Sequence, residues 1–335
     1  MSEINSSYPF ASTRVKAIES KLITKEKLSR IIEAKDFDMA MRILAELGYG
    51  QTAAGIHTGT ASFEDLIQRE LAETDSLLET LSPDDTFTRI VRAEKDYYNL
   101  KVLIKLFMQS LALDSVTLSP GNFSVDTMRR AISENNYRDL SETMQDALNY
   151  IDKQFSVESD ASIVGIALDR AYAKDISEMT NQMNDPLISA YFEALFDLTN
   201  IIALFRIRAA GLSKDSFDRN YLKGGRIDKS TLSDAFDLPG ESIPGAAAKG
   251  IYASILADAF DDYAKTGSLY MMEKARDDYL LKLLKEQQHD MFSIGPLMAY
   301  YVAKQREAAA VRLVMTAKQG GIDADVVNHR LKDLF

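Results

Sequence analysis

Three pairs of acidic residues are the first candidates for chemistry in this chain. Asp84-Asp85, Asp261-Asp262 and Asp277-Asp278 each begin like the aspartate-rich motif that binds magnesium diphosphate in class I terpenoid synthases, which are also all-helical. None of the pairs is followed by a further acid at the fifth position, which would complete such a site. We interpret the pairs as helix starts and solvated helix faces, and we predict no metal site.

Other residue types with catalytic potential are scarce or isolated. His57, His289 and His329 are widely separated, with no two of them three or four residues apart, and Glu286 with His289 forms a lone pair on a charged helix, which is a weak signal for a metal site. The segment 48–55 contains three glycines but lacks the Gly-Lys-Ser/Thr ending of a P-loop and follows a helix, so we expect a flexible connection between helices. The chain has no cysteine, which excludes thiol chemistry and disulfides. We therefore predict no catalytic residue and no cofactor.

The composition limits the class of partner. A net charge of −11 and a pI near 4.9, without a basic run, argue against nucleic-acid binding. Residues 1–7 lack a basic segment followed by an apolar one, so no secretory signal is expected. The longest apolar stretch, 187–205, is interrupted by Glu193, Asp197 and Asn200 and is better explained as a buried helix than as a membrane span.

The elements that must position any functional residue are helices. Between 15 and 47, between 63 and 81 and between 87 and 107, apolar residues recur at spacings of three and four, which is typical of amphipathic helices. No sustained apolar–polar alternation and no Asn-Gly or Asp-Gly turn occurs. The pattern predicts an all-α fold.

The sequence resembles itself at a period of about 100 residues. The segments 118–128 (LSPGNFSVDTM) and 222–232 (LKGGRIDKSTL) share a glycine, at Gly121 and Gly225, and the apolar residues around it. Near the chain ends, the second half of the pattern is repeated by Gly320, Ile322 and Val327, and again, without the glycine, by Ile23 and Leu28. We expect these glycines to terminate helices, with the following apolar residue packing back on the ended helix.

The helices before these turns match as well. Asp96 to Lys105 aligns with Asp197 to Arg206 and more weakly with a third copy around Ala308 to Leu313, and Tyr172 aligns with Tyr279. Matches in the same order predict three helical bundles, at 1–110, 111–212 and 213–335, in a pseudo-threefold, funnel-like arrangement. The extra match at the chain ends suggests that the N- and C-termini meet.

The repeated helices carry the candidate site residues. Asn99 and Asn200 occupy equivalent places within apolar helices, where an amide either fixes packing through hydrogen bonds or lines a shared axis; the packing role is the simpler one. Five cations lie in the same helices and are either ordinary surface residues or a positive surface for an acidic partner helix: Lys101, Lys105, Arg206, Arg208 and Arg312.

Three segments together resemble a known family. The N-terminal stretch 8–19 (YPFASTRVKAIE), the stretch 28–47, and the Asn-Leu-Lys and Asn-Ile-Ile helices are similar to the C subunit of bacterial and archaeal V-type (A-type) ATPases, whose eukaryotic relative is the d subunit of the vacuolar proton pump. The resemblance covers essentially the whole chain, although the third copy lacks the asparagine.

The resemblance implies a role without catalysis. It implies a funnel-like protein on the cytoplasmic face of the membrane, which joins the central axle of subunits D and F to the proteolipid ring and transmits torque for ion transport. Neither nucleic acid nor a small-molecule substrate is an expected partner. Two alternatives remain from the residues themselves: a terpenoid-synthase-like enzyme, which the incomplete aspartate motifs oppose, and a free-standing helical scaffold, for which shorter repeats are typical.

Overall fold

Helices build the computed structural model of this chain, which describes residues 7–52, 55–56, 62–116, 118–155, 161–331 and 334. The helices in these residues are α1 (Tyr8–Glu19), α2 (Lys25–Ile32), α3 (Phe37–Glu46), α4 (Phe63–Leu81), α5 (Asp85–Met108), α6 (Val125–Ser133), α7 (Glu142–Phe155), α8 (Ser162–Met183), α9 (Pro186–Ala209), α10 (Lys214–Asn220), α11 (Lys229–Phe236), α12 (Ile243–Ala247), α13 (Ile251–Thr266), α14 (Tyr270–Gln287), α15 (Gly295–Gln319) and α16 (Ala324–Arg330). The prediction of an all-α fold is confirmed.

One short strand pair departs from the predicted absence of strands. β1 (Gln51–Thr52) and β2 (Gly55–Ile56) pair antiparallel, with Gln51 opposite Ile56. Gly48 and Gly50 have φ values of 108° and 81°, which glycine adopts without steric cost, so the chain can turn sharply between α3 and this pair. Part of the predicted flexible connection, residues 53–54, lies outside the described residues, as does His57.

Polar caps explain why many helices begin where they do. The side chain of Asp36 accepts the amide of Met39 at 2.8 Å, and Ser62 and Asp65 form a reciprocal capping box at the start of α4. Asp84 accepts the amide of Thr86 at 2.7 Å, so this member of an acidic pair serves a helix start as predicted.

The chain divides into two compact units. Unit 1 comprises Met1–Thr88 and Leu281–Phe335, and unit 2 comprises Arg89–Leu280. This division differs from the three predicted bundles at 1–110, 111–212 and 213–335, which stay a prediction, as does their pseudo-threefold, funnel-like arrangement. Unit 1 is assembled from both ends of the chain, and unit 2 from the middle.

The core of unit 1 is formed where α15, the long helix near the C-terminus, packs on α1, α2, α3 and α4. Ile31, Leu44, Ile67 and Val311 come from four of these helices and are all fully buried. Lys318, near the end of α15, also donates to the carbonyl of Ala34 at 2.6 Å. The expectation that the two ends of the chain meet is therefore confirmed.

Unit 2 contains two successive packing groups. In the first, α5 packs with α6, α7 and α8 around residues such as Leu100, Met128 and Leu168. In the second, α9 packs with α10 and α11, where Phe217 and Leu232 are fully buried. α8 also packs on α9, which joins the two groups.

The ends of α5, α9 and α15 are alike, and among the predicted glycines Gly320 does cap a helix, at the end of α15. Each helix is followed by a residue with positive φ, at Ser110 (55°), Gly211 (68°) and Gly321 (65°). The next amide bonds back into the last turn, as Leu212 does to the carbonyl of Ile207 at 3.1 Å, which is a Schellman motif.

The prediction that Gly121 and Gly225 terminate helices is wrong, because the helix before Gly121, α5, ends at Met108 and the helix before Gly225, α10, ends at Asn220. Gly320 lies at the end of α15 with a right-handed φ of −84°, so its neighbour Gly321 supplies the left-handed residue there. Gly320 is therefore not the structural equivalent of Gly121 and Gly225.

Helix α9 is long and apolar enough to cross a membrane by length and composition alone. Within unit 2, however, it packs against α8, α10 and α11, and twelve of its residues are buried, including Asp197 and Asn200. These contacts agree with the prediction of a buried helix for residues 187–205.

Candidate functional site

A buried carboxylate on α5 holds the turn that leads into α6. Asp96 accepts the backbone amides of Asn122 at 2.9 Å and Phe123 at 3.1 Å. One helical turn further on, Asn99 donates its side-chain amide to the carbonyl of Ser119 at 2.8 Å. Both side chains are buried, so the hydrogen bonds satisfy polar groups that would otherwise be costly in the core.

The same arrangement recurs on α9 and the turn that leads into α11. Asp197 accepts the amides of Arg226 at 3.0 Å and Ile227 at 2.9 Å. Asn200 donates to the carbonyl of Leu222 and accepts its amide, both at 2.8 Å. We call such a carboxylate and the turn it binds a turn joint.

A third turn joint lies in unit 1 and connects the two ends of the chain. Glu307 of α15 is 2% exposed and accepts the amide of Ile23 at 2.7 Å. Ile23 lies two residues before α2, as Phe123 lies before α6 and Ile227 before α11. Ala310 takes the place of the asparagine in this copy.

The glycines of the two aspartate joints are explained by close approach rather than by backbone conformation. A Cβ atom on Gly121 would lie 2.2 Å from Asp96 Oδ1, and one on Gly225 would lie 2.1 Å from Asp197 Oδ1. Both distances are far inside van der Waals contact. The equivalent residue of the third joint is the exposed Lys21, and the side chain that reaches this turn is a glutamate, one methylene longer.

Two of the three carboxylates also accept a hydrogen bond from a tyrosine. The hydroxyl of Tyr252 donates to Asp197 Oδ2 at 3.0 Å, and the hydroxyl of Tyr49 donates to Glu307 Oε1 at 2.8 Å. Burial, together with the neighbouring carboxylate, raises the pKa of both phenols well above the usual range, so both remain protonated donors.

Charge is distributed differently among the joints. Burial raises the pKa of Asp96 to about 6, although the amides of Asn122 and Phe123 favour its ionised form. Burial raises the pKa of Asp197 as well.

In unit 1, Lys304 donates to Glu307 at 2.7 Å and to Glu70 at 3.1 Å. Burial alone would lower the pKa of Lys304, but these two carboxylates outweigh it and the pKa is raised. The third joint therefore contains a buried ion network, whereas the contacts of the two aspartates are mainly to backbone amides.

Comparison with known proteins places the chain in a family. A family model described as ATP synthase (C/AC39) subunit matches residues 11–330. The chain belongs to the ATP synthase (C/AC39) subunit family. Members of this family are accessory, non-catalytic subunits of rotary ATPases, and the predicted family resemblance is confirmed.

Individual C/AC39 relatives are distant but match along their length. The chain is 22% identical to the C subunit of the A-type ATP synthase of Methanocaldococcus jannaschii over 93% of this chain and 82% of the relative. It is also 22% identical to the C subunit of the V-type sodium ATPase of Enterococcus hirae, over 96% and 97%. The corresponding A-type ATP synthase protein of Methanosarcina mazei is similar at 22% identity, over 98% and 93%.

In this C/AC39 protein, the two predicted asparagines are buried parts of the turn joints. Asn99 is 1% exposed and Asn200 is fully buried. Neither side chain is presented to solvent, so the contacts support the packing role over a direct contact with a partner.

Four of the five predicted cations contact groups of their own unit. Lys101 pairs with Asp169 of α8, Arg206 pairs with Glu273 of α14 at 2.7 Å, and Arg312 forms two hydrogen bonds of 2.8 Å with Glu64 of α4. Arg208 donates to the carbonyls of Phe236 and Leu238. Lys105 is exposed near the end of α5.

Sequence reasoning missed the three carboxylates of the turn joints. Asp96 and Asp197 lie three residues before the recognised asparagines, and the turn glycines Gly121 and Gly225 lie 25 and 28 residues after the two aspartates. An acid and a glycine that repeat together were the available signal. Glu307 gave a weaker one, because both the acid type and the turn residue differ in that copy.

The acidic pairs that were considered as metal ligands have other partners. Asp278 pairs with Lys274 at 2.5 Å, and Asp277 pairs with Arg276 at 2.8 Å. In the part of the chain that the structure describes, no three histidine or acidic side chains cluster in a way that could hold a metal ion.

Proposed function

We propose that this chain joins the central axle of its rotary ATPase, formed by subunits D and F, to the membrane proteolipid ring and passes torque between them. In this role it is a peripheral protein on the cytoplasmic face of the membrane. The observation that carries the proposal is the family match over residues 11–330, together with whole-length similarity to the C subunit of a V-type sodium ATPase.

The turn joints support the proposal because torque transmission needs a body that does not yield under load. In each joint a side chain on a long helix is bonded to the backbone of a turn far away in sequence, and the bonded partners are 27, 30 and 284 residues apart. Such contacts tie separate helices together without relying on exposed ion pairs, which contribute little. Close packing of the cores adds further stiffness.

Lys105 supports the predicted contact with an acidic partner helix. It is exposed in the last turn of α5, and the structure gives it no carboxylate partner among the described residues. We propose Lys105 as a partner contact, with the partly exposed Arg206 and Arg312 as weaker candidates because they already bind carboxylates.

The direct test is reconstitution of the complex with and without this chain. With it, we expect binding to purified D–F, binding to the detergent-solubilised ring, and ATP-driven ion uptake in vesicles. Without it, ATP hydrolysis by the soluble part should continue while ion uptake is lost. Ion uptake that persists at full rate without the chain would contradict the proposal.

The charge contact has a matched pair of variants. Lys105→Glu should weaken binding to D–F about three- to tenfold at low salt, because rim charges act mainly through electrostatic attraction. Lys265→Glu is the control, since Lys265 is also an exposed lysine in the last turn of a helix of unit 2. Equal effects of both variants would argue against a specific contact at Lys105.

A further inference from the structure

The C-terminal ends of α5 and α9 expose apolar side chains that the fold does not bury. Leu111 and Leu212, each the residue after the left-handed turn that ends its helix, are 51% and 54% exposed. Phe107 and Met108, in the last turn of α5, are 53% and 38% exposed. A Schellman motif explains why the position after the turn is apolar, because that residue packs on the ended helix, but it does not explain why half of each side chain remains in solvent.

These two helix ends lie at the same end of unit 2. The ring of Tyr97 on α5 packs on that of Tyr172 on α8, with centroids 5.7 Å apart. Lys101, one turn further along α5, pairs with Asp169, one turn earlier on α8, so the two helices run in opposite directions. Only two residues join α8 to α9, and the two helices meet again where Tyr172 packs on Phe196, so α9 also runs opposite to α8. α5 and α9 are therefore parallel, and their C-terminal ends point the same way.

Both helix ends are basic and apolar, without an acidic residue. The segments 97–113 and 198–214 contain no aspartate or glutamate, although the chain has 50 acids and a net charge of −11. Lys105, next to Phe107, is exposed and has no carboxylate partner among the described residues. An acid of a partner can therefore pair with Lys105 without displacing one of this chain's own carboxylates and without repulsion from acids in the same helix ends.

We propose that the two helix ends form one docking surface for an acidic, amphipathic helix of the axle, with Phe107, Leu111 and Leu212 as its apolar anchors and Lys105 as its cation. An amphipathic helix presents an apolar stripe beside charged residues, which is the arrangement that this surface complements. Aromatic residues and methionine, as in Phe107 and Met108, are enriched in the cores of protein interfaces. The inference rests on the proposed function, which supplies the axle as the partner.

A membrane surface suits these helix ends less well. Anionic lipids are typically recognised by clusters of about four to eight lysines and arginines. Here Lys101 and Arg206 already pair with carboxylates of unit 2, and Arg208 donates to the carbonyls of Phe236 and Leu238. One unpaired lysine among several exposed apolar side chains favours a protein partner with few charges at the contact.

The test measures binding of the full chain to purified D–F and, separately, to the detergent-solubilised ring. Phe107→Ser and Leu111→Ser should each weaken D–F binding at least about tenfold, and Leu212→Ser about three- to tenfold, since a few apolar anchors carry most of the binding energy of an interface. Ring binding should be unchanged. Ile251→Ser is the matched control, because Ile251 is also an apolar residue of unit 2 and is 57% exposed.

Salt separates the apolar contacts from the charge contact. In about 1 M NaCl the effect of Lys105→Glu on D–F binding should disappear, because charge pairs at the surface are screened. The effect of Phe107→Ser should remain, because salt does not weaken apolar burial. Loss of both effects in salt would contradict the role of Phe107 as an apolar anchor.

Failure of the docking surface can be told apart from failure of the proposed function. If the unsubstituted chain binds D–F and the serine variants of the anchors lose no more affinity than Ile251→Ser, the docking surface is wrong and the torque role stands. If the unsubstituted chain does not bind D–F, both fail. Loss of ring binding in Phe107→Ser, or binding of the unsubstituted chain to vesicles of anionic lipid that Phe107→Ser abolishes, would overturn the axle helix as the occupant.

Hydrogen exchange on the unsubstituted chain tests the same surface without any variant. D–F should slow the exchange of amides in 105–113 and 206–213, the two helix ends, and should leave the region around Ile251 unchanged. Absence of protection at both helix ends would overturn the proposal, so a serine variant that failed to fold would not remove the test.

Discussion

In unit 2 the two turn carboxylates are aspartates that lie against glycine, whereas in unit 1 a glutamate reaches a turn that carries lysine. The hydrogen-bonded result is the same in each case: a backbone amide two residues before a short helix donates to the acid. One methylene on the acid therefore replaces the need for glycine on the turn. Residue identity can change at both positions while the contact is kept.

The connectivity of the two regions explains why the unit 1 joint has more bonds. The aspartate joints close over 27 and 30 residues, but Ile23 and Glu307 are 284 residues apart. For a flexible chain without other contacts, closing the longer loop costs about 2 kcal/mol more. Lys304, Glu70 and Tyr49 add interactions at this joint that offset the greater cost.

Removing the acid of unit 1 should have the largest effect. Glu307→Ala leaves Lys304 and the amide of Ile23 buried without their main acceptor, and breaking a buried ion pair costs about 3–5 kcal/mol. We expect a loss of this size in the free energy of unfolding, measured by urea denaturation. Hydrogen exchange should locate the loss in α1–α4 and α15.

A double variant is the control for the buried charge. Adding Lys304→Met to Glu307→Ala removes the buried ammonium that has lost one of its two carboxylates and should recover part of the lost stability. If Glu307→Ala alone costs less than about 1 kcal/mol, comparable to an exposed ion pair, the joint does not hold the chain ends together.

Titration of Asp96 tests the electrostatics of a unit 2 joint, where the carboxylate has, among the described residues, no buried lysine partner like Lys304 of unit 1. Because its pKa rises from 3.8 to about 6 in the folded chain, the folded state binds the proton more tightly than the unfolded state. Stability from this group is therefore greatest below about pH 4 and falls by about 3 kcal/mol as the pH rises to about 6.

The measurement is carbon-detected NMR of the Asp96 carboxyl, whose midpoint we expect near pH 6. As a thermodynamic check, the stability of the unsubstituted chain relative to Asp96→Asn should decrease with rising pH over this window. A midpoint near the ordinary value of 3.8 would show that the backbone amides outweigh burial at this site.

Substitution of the turn residue tests whether the aspartate joints require glycine while the glutamate joint does not. Gly225→Ala places a methyl group 2.1 Å from Asp197 Oδ1 and must move the turn or the carboxylate, and overpacking of this kind costs about 1–3 kcal/mol. Lys21→Ala, at the equivalent position of unit 1, should change stability by less than about 0.5 kcal/mol because Lys21 is exposed. Thermal unfolding of both variants tests the difference; equal losses would mean that the glycine is not required by the aspartate.

The comparison also explains what could be predicted from the sequence. The helical spacing of apolar residues was enough to predict the all-α fold, because a helix can bury one face whenever apolar residues recur every three or four positions. The repeat of Asn99 and Asn200 identified buried packing positions. The carboxylates were missed since an acid in a helix usually lies on the surface, and only the contact with a distant turn distinguishes Asp96 or Asp197 from a solvated residue.

The glycine after a helix was misread for a related reason. A glycine followed by an apolar residue is typical of a helix C-terminus, and Gly320 does lie at one, but Gly121 and Gly225 meet a carboxylate instead. Sequence spacing could not separate these roles, because backbone freedom and lack of a side chain both select glycine. The pairing of the chain ends was predictable because Ile23 and Leu28 repeat the pattern of the other turns.

The smallest expected effect concerns the surface pairs of the two units. Arg312 binds Glu64 through two hydrogen bonds in unit 1, whereas Lys101 binds Asp169 as a single ammonium in unit 2. A planar guanidinium loses less freedom per bond than a lysine does, so double-mutant cycles should give about 0.5–1 kcal/mol for the arginine pair and less than about 0.5 kcal/mol for the lysine pair. Both values should fall in about 1 M NaCl, because the side chains are partly exposed. An arginine pair that is no stronger than the lysine pair would show that its two-bond geometry adds no stability to unit 1. A coupling energy that does not fall in salt would contradict the assignment of these contacts to partly exposed ion pairs.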